Sequence, residues 1–474
     1  MIGEPRSVPA LFLERVRESP GEVAYRYPGT QGWASLTWSE ARLDVRAVAL
    51  GLAALGLRAG ERCAILSSSR IEWVIADLGI LCAGGVTTTI YPSSTAEECA
   101  HVLADSGARV CFVEDEAQAL KIAASRGALP ALAHVVVLHG APAAGGREIA
   151  WSALLARGRA VQATRPGLFE DLVEAIEPSA LATLIYTSGT TGKPRGVELT
   201  HACWLSQSAA LEAVGIVRHP EALHLLWLPL AHSFGKMMIT LQLRLGFPTA
   251  IDGRVERLSQ NLLAIRPTVV CGVPRVFEKI RAAVMEQARE GGRLRGALVR
   301  WALREGAAAL RLERAGRSPG LLARARRVLA DRLVLRKVRA RFGGRLRFFI
   351  SGSAPLSTDV GEFFSAVGVP ILEGYGLTET SAATHVNLPG RSCPGTVGPP
   401  LPGIEVRLAG DGEVLLRGPW VMCGYHGMPE ATRDALDAEG WPIALTMCTR
   451  VRPRPSKNAL KANVIAMETM PRNR

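Results

Sequence analysis

Helix and strand patterns alternate twice along this chain, and that alternation limits the fold more than any other feature. Apolar periodicity predicts a helix over 38–55, a strand over 62–66, a helix over 71–82, a strand over 85–90, a helix over 96–106 and a strand over 108–113. A second alternating block runs from Leu181 to Val369 and is interrupted by arginine-rich helices. Strands that take turns with helices are expected to pair in parallel, so the reading is an α/β protein with two parallel-type sheets. From Gly398 to Gly424 the pattern becomes strand-rich. There Glu405-Val406-Arg407-Leu408, an Asp411-Gly412 turn and Glu413-Val414-Leu415-Leu416-Arg417 read as a hairpin in a small β-rich lobe. A chain of 474 residues, 48% hydrophobic, buries a large core and divides into lobes.

Composition excludes several classes. Nine cysteines show no C-x-x-C pair and no clustering with histidine, which fits a reduced, cytoplasmic protein without structural zinc. Met1 to Ala10 lacks the basic-then-apolar order of a signal peptide. The nearest approach to a membrane span, 71–90, is broken by Glu72, Asp77 and Gly84-Gly85. The net charge of +13 is concentrated in arginines between Arg281 and Arg347. Their helical spacing without interleaved aromatics argues against nucleic acid and for a solvated helical face, with peripheral contact at the inner membrane surface as an open addition. Nothing in the sequence sets an oligomeric state.

The chemistry is concentrated in a few glycine-rich turns. Leu181 to Tyr186 reads as a buried strand and Gly196 to Leu199 as another, so Thr187-Ser188-Gly189-Thr190-Thr191-Gly192-Lys193-Pro194-Arg195 joins two strands. Its glycines let successive amides point at one anion, its hydroxyls add donors, and Lys193 and Arg195 add charge-assisted contacts. A solvated turn is the bland alternative, and a Walker loop is excluded because Gly189 and Gly192 are too close and Pro194 follows the lysine. Phe348 to Ile350 runs into Ser351-Gly352-Ser353-Ala354-Pro355, whose small side chains admit a flat base close to the backbone. In Glu373-Gly374-Tyr375-Gly376-Leu377-Thr378-Glu379-Thr380, Tyr375 can stack on a purine, Thr378 can donate to a phosphate and Glu379 offers a hard oxygen. His232, in Pro229-Leu230-Ala231-His232-Ser233-Phe234-Gly235-Lys236, precedes an apolar helix suited equally to an acyl tail or to core packing.

Together these segments resemble the AMP-forming acyl-activating superfamily, the enzymes that form acyl-adenylates. Val273 to Ile280, Gly343 to Phe349, Pro394 to Gly398 and the long insertion between Ile280 and Val338 resemble its long-chain fatty acyl-CoA synthetase branch. The resemblance implies ATP-dependent activation of a fatty acid through acyl-AMP to acyl-CoA, with ATP, Mg²⁺ and coenzyme A taking part. It implies phosphate binding by Thr187, Ser188, Gly189, Thr190, Thr191, Gly192 and Lys193. Adenine would be held by Tyr375 and the turn of Gly352, Ser353 and Ala354, with Glu373, Gly374 and Gly376 also among the cofactor-binding residues. Thr378 would meet the α-phosphate, Thr187 and Glu379 the metal, and His232 the carboxylate region. Two alternatives stand beside it: a chain that binds ATP or acyl-adenylate without completing the reaction, and a ligase for another carboxylic acid.

The resemblance covers residues 10–441, including a helical insertion at 281–341, and stops after Trp441, where Pro442-Ile443-Ala444-Leu445 replaces the expected Thr-Gly-Asp segment. The matching ribose aspartate and small C-terminal domain are not recognisable beyond it. Residues 442–474, with one acid against seven cations, read as a disordered basic tail. A reading-frame change after Trp441 is the expectation; the other two frames of the downstream nucleotide sequence would refute it by lacking Thr-Gly-Asp and a lysine-bearing domain.

Overall fold

The computed structural model describes residues 4–140, 148–187, 193–409 and 413–436. The phosphate-loop residues 188–192, the Asp411-Gly412 turn and the proposed tail at 442–474 lie outside them.

Among the described residues, strands form two eight-stranded sheets and one two-stranded ribbon. The first sheet runs His385–Val386, Ile371–Tyr375, Phe348–Ser351, Val269–Gly272, His224–Leu226, Thr249–Ile251, Val23–Gly29 and Gly32–Thr37, parallel except at its two edge pairs. The second runs Gly424–Tyr425, Arg195–Thr200, Leu181–Thr187, Val86–Ile90, Arg62–Leu66, Val110–Val113, His134–Val137 and Glu148–Ala150. It is antiparallel only where Leu181–Thr187, Arg195–Thr200 and Gly424–Tyr425 meet. The ribbon pairs Glu405–Leu408 with Val414–Arg417, as the hairpin pattern predicts.

Local chemistry sets the helix boundaries. The Trp38–Ala54 and Ala96–Ser106 helices both open with reciprocal capping boxes, Thr37 with Glu40 and Thr95 with Glu98. The strand expected from 108 begins at Val110, because Gly107 turns left-handed and the N–H of Ala108 returns to Leu103 O to close the preceding helix. Helix Trp38–Ala54 lies so close to helix Trp151–Thr164 that a Cβ on Gly158 would stand 1.8 Å from Ala47 O. A main core packs between helices and sheets, with Trp38, Trp73, Trp204 and Phe277 almost fully enclosed, and a second, smaller core gathers Leu66, Ile90, Leu103, Cys111, Val137 and Leu184. The arginine-rich segment is helical, from Pro274–Glu290 through Gly292–Arg314 to Leu321–Ala330. No helix among the described residues is long and apolar enough to cross a membrane.

Candidate active site

Parallel register places the candidate loops side by side. Ile350 pairs with Leu372 and Ser351 with Glu373, so the Gly352 and Gly376 turns both leave the carboxyl ends of adjacent strands, where open α/β sheets bind ligands. Ser353 adopts φ 68°, an unusual conformation for a residue with a Cβ and one that bends the chain sharply at the cleft. Gly376 has no alternative. A Cβ there would stand 1.6 Å from Ala382 O, because Thr384 N donates to Tyr375 O at 2.8 Å and folds the loop back on itself. Burial, with Glu413 adding to it, pushes the Tyr375 phenol up to about 12, so the ring stays neutral.

His232 is the N-cap of helix Ser233–Leu245, and its Nδ1 accepts the N–H of Phe234 at 3.1 Å. The loop before it is pinned from below. Ser69 Oγ donates to Leu228 O at 2.7 Å and accepts Leu230 N–H at 2.8 Å, while Thr89 Oγ1 donates to Ala231 O at 2.8 Å. Deeper in the same helix, Lys236 is fully buried against Asp77 of helix Ile71–Cys82. Sequence reading missed this pair. Its signal was available, since a charge inside each of two core helices requires a partner.

These elements enclose a cavity of about 900 Å³. Thr187 and Arg195 line one side, Gly352 and Ser353 another, and Tyr375, Gly376, Thr378 and Glu379 a third. Gly374 and His232 also reach it. Thr378 Oγ1 comes within 3.5 Å of Ser233 Oγ, joining the helix start to the Thr378–Thr380 turn. Leu211, Ile216, Met237, Met238 and Leu241 continue the cavity as an apolar wall. The arrangement can hold a molecule that is anionic at one end, flat and aromatic in one limb and hydrocarbon in another.

Three sequence-predicted residues are placed elsewhere. Ala354 and Lys193 are exposed and do not line the cavity. Glu373 is turned away to the backbone amides of Gly395, at 2.8 Å, and Leu356, and burial pushes its carboxyl up to about 7. Its geometry is that of a brace between loops. A side chain the motif reading did not single out, Tyr425, does reach the site, donating to Glu379 Oε1 at 2.8 Å.

Comparison with known proteins agrees with this fold. The N-terminal domain of FACL13 from Mycobacterium tuberculosis superposes with a TM-score of 0.72 at 20% identity, over 98% of this chain and 99% of that one. The anthranilate CoA ligase AuaEII with anthranoyl-AMP gives 0.68 at 20% identity, over 93% and 74%. At that identity the likeness is one of fold. In sequence, the long-chain-fatty-acid–CoA ligase FadD15 of Mycobacterium bovis is 38% identical over 93% of this chain and 72% of its own length. The long-chain-fatty-acid–CoA ligase heimdall of Drosophila melanogaster is 33% identical over 92% and 66%. Residues 12–426 match the family described as AMP-binding enzyme, with both nucleotide turns and the His232 helix inside the matched span, and the chain belongs to that family.

Proposed function

We propose that the protein activates long-chain fatty acids in two steps. A carboxylate oxygen attacks the α-phosphorus of ATP, forming acyl-AMP as the bond to the bridging oxygen breaks and pyrophosphate leaves. The thiol of coenzyme A then attacks the acyl carbon, AMP departs and the thiol proton is lost to solvent. One observation carries the reading: the cavity is continuous from the polar rim at Thr187, Thr378 and Glu379 to the hydrocarbon wall at Met237, Met238 and Leu241. The names of the relatives support the long-chain substrate.

In this reading Tyr375 and the Gly352 turn hold adenine. The Thr187–Arg195 segment takes the β- and γ-phosphates, and Thr378 donates to the α-phosphate. His232 offers Nε2–H to the carboxylate region, since its Nδ1 is already an acceptor. Much of the rate then comes from alignment and from donors aimed at the reacting oxygens before the reaction begins.

Magnesium suits the residues present. Thr187 and Glu379 supply hard oxygens on the cavity, and Glu379 Oε2 accepts no hydrogen bond among the described residues. A magnesium held there would take most of its ligands from phosphates and water. When bound it would neutralise charge on the phosphate oxygens. Peripheral contact with an anionic membrane belongs to the same proposal. Residues 281–341 carry seventeen Lys or Arg against five Asp or Glu, and Leu294, Leu321 and Leu322 stand 89%, 86% and 74% exposed among them. Co-sedimentation with anionic but not neutral vesicles is its test.

ATP–pyrophosphate exchange and acyl-CoA formation, measured with palmitate, acetate and benzoate, test the main reading. Palmitate should drive both reactions best. Exchange without thioester would restrict the protein to adenylation, and exchange driven better by acetate or benzoate would overturn the long-chain assignment.

A further inference from the structure

The segment from Met422 to His426 ties together two parts of the site that are far apart in sequence. Met422 N donates to Glu379 O at 2.7 Å, while Cys423 N donates to Glu198 O at 3.0 Å and His426 N to Gly196 O at 2.8 Å. His426 Nδ1 lies 2.7 Å from Glu198 Oε1, and Tyr425 pairs with Val197 across the strand that starts at Arg195. One edge of the segment therefore holds the strand leaving the phosphate loop, and the other holds the backbone of Glu379.

Tyr425 is where the two meet. Its hydroxyl donates to Glu379 Oε1 at 2.8 Å, and the Arg195 guanidinium lies 5.6 Å from the centre of its ring. A carboxylate can only accept and a phenol O–H donates, so the bond runs in one direction, from phenol to carboxylate. With Oε1 fixed, the carboxylate plane is fixed and Oε2 is left as the acceptor. A hydrogen bond of that kind orients a metal-binding carboxylate and tunes its basicity. The ring meanwhile holds Arg195 through the cation–π attraction of an aromatic face.

We propose that Tyr425 is a positioning residue for metal-nucleotide binding: it orients Glu379 toward the metal through its hydroxyl and couples that carboxylate to the phosphate-loop strand through Arg195. The proposal rests on the adenylation reading, in which Glu379 meets the metal. Tyr425→Phe tests the hydroxyl alone, because it keeps the ring beneath Arg195. The probe is Mn²⁺, titrated by electron paramagnetic resonance into the full chain saturated with α,β-methylene-ATP, with metal-free ATP affinity measured separately in EDTA.

The variant should weaken Mn²⁺ binding about tenfold or more, with metal-free ATP affinity changed less than about twofold. An unchanged Mn²⁺ affinity, or equal losses with and without metal, would overturn the proposal. Glu379→Gln separates the two layers. If it abolishes tight Mn²⁺ binding while Tyr425→Phe does nothing, Glu379 stands and Tyr425 falls; if Glu379→Gln is also silent, the metal reading falls and takes the proposal with it. Should Tyr425→Phe not fold, 3-fluorotyrosine labelling of the native chain decides, since its six tyrosines can be assigned by substitution. The Tyr425 fluorine resonance should move when Mg²⁺ joins bound ATP; a resonance that does not respond to the metal refutes the role.

Discussion

His232 turns its Nδ1 onto the backbone N–H of Phe234 at 3.1 Å, so one ring caps a helix and at the same time fixes its own tautomer. The proton must then sit on Nε2, and burial holds the imidazole below its ordinary pKa, so it is neutral near pH 7. In the proposed role it donates without titrating. Palmitate-dependent pyrophosphate exchange should therefore show no histidine limb between pH 7 and 8. His232→Asn keeps a strong N-cap but shortens the donor's reach; exchange should fall by ~10²-fold with little change in thermal midpoint. Exchange within threefold of the parent would remove His232 from the chemistry.

The parts of this structure that sequence conveys are those encoded locally. Val110–Val113 is buried throughout and reads as an apolar run, while Thr37 with Glu40 marks a helix start. Strand order is not local: that Ser351 pairs with Glu373, bringing two distant turns to one cavity, depends on which apolar runs become neighbours. The same limit misplaces Glu373. Its motif is a nucleotide turn, yet its carboxylate is satisfied by amides at Gly395 and Leu356 that only the tertiary fold supplies. Tyr425 is the converse, a residue in a plain strand that acquires a role from what it touches.

The Lys236–Asp77 pair should be costly to break and cheap to replace. Both groups are fully buried, and Asp77 Oδ1 has no partner among the described residues. Removing one charge strands the other, so Lys236→Met or Asp77→Ala alone should cost ~3–5 kcal/mol. The double replacement Asp77→Leu with Lys236→Met should recover most of that loss. A denaturant double-mutant cycle reads it, and additive losses would show that the two charges do not depend on each other.

Gly376→Ala should damage nucleotide binding more than stability. The added Cβ must push the Ala382 carbonyl away, opening the loop that Thr384 N closes on Tyr375 O. Overpacking of this kind costs ~1–3 kcal/mol, and here the displaced element is the one carrying Tyr375. Calorimetric titration with ATP should show affinity down by tenfold or more. Unchanged affinity would mean that Tyr375 does not contact the base.

Stability should fall on the acid side for a reason that can be signed. Burial holds His201 and His224 down to about 3 and His385 down to about 4, against an unfolded value of ~6.5. Below pH 6.5 the unfolded chain takes protons that the folded one refuses, and each such proton removes ~1.4 kcal/mol per pH unit. Glu373 has the opposite sign. With its folded value up to about 7 and an unfolded value of ~4.3, it holds a proton between those limits that the unfolded chain has released, so its contribution weakens as pH rises. Three groups oppose one, and denaturant midpoints should drop steadily from pH 6.5 to 4.5. Glu373→Gln isolates the dissenting term: it keeps an acceptor for Gly395 N–H, cannot ionise, and should stabilise the protein by ~1–3 kcal/mol at pH 8 while changing little at pH 5. Equal effects at both pH values would show that the buried carboxyl is not protonated on folding.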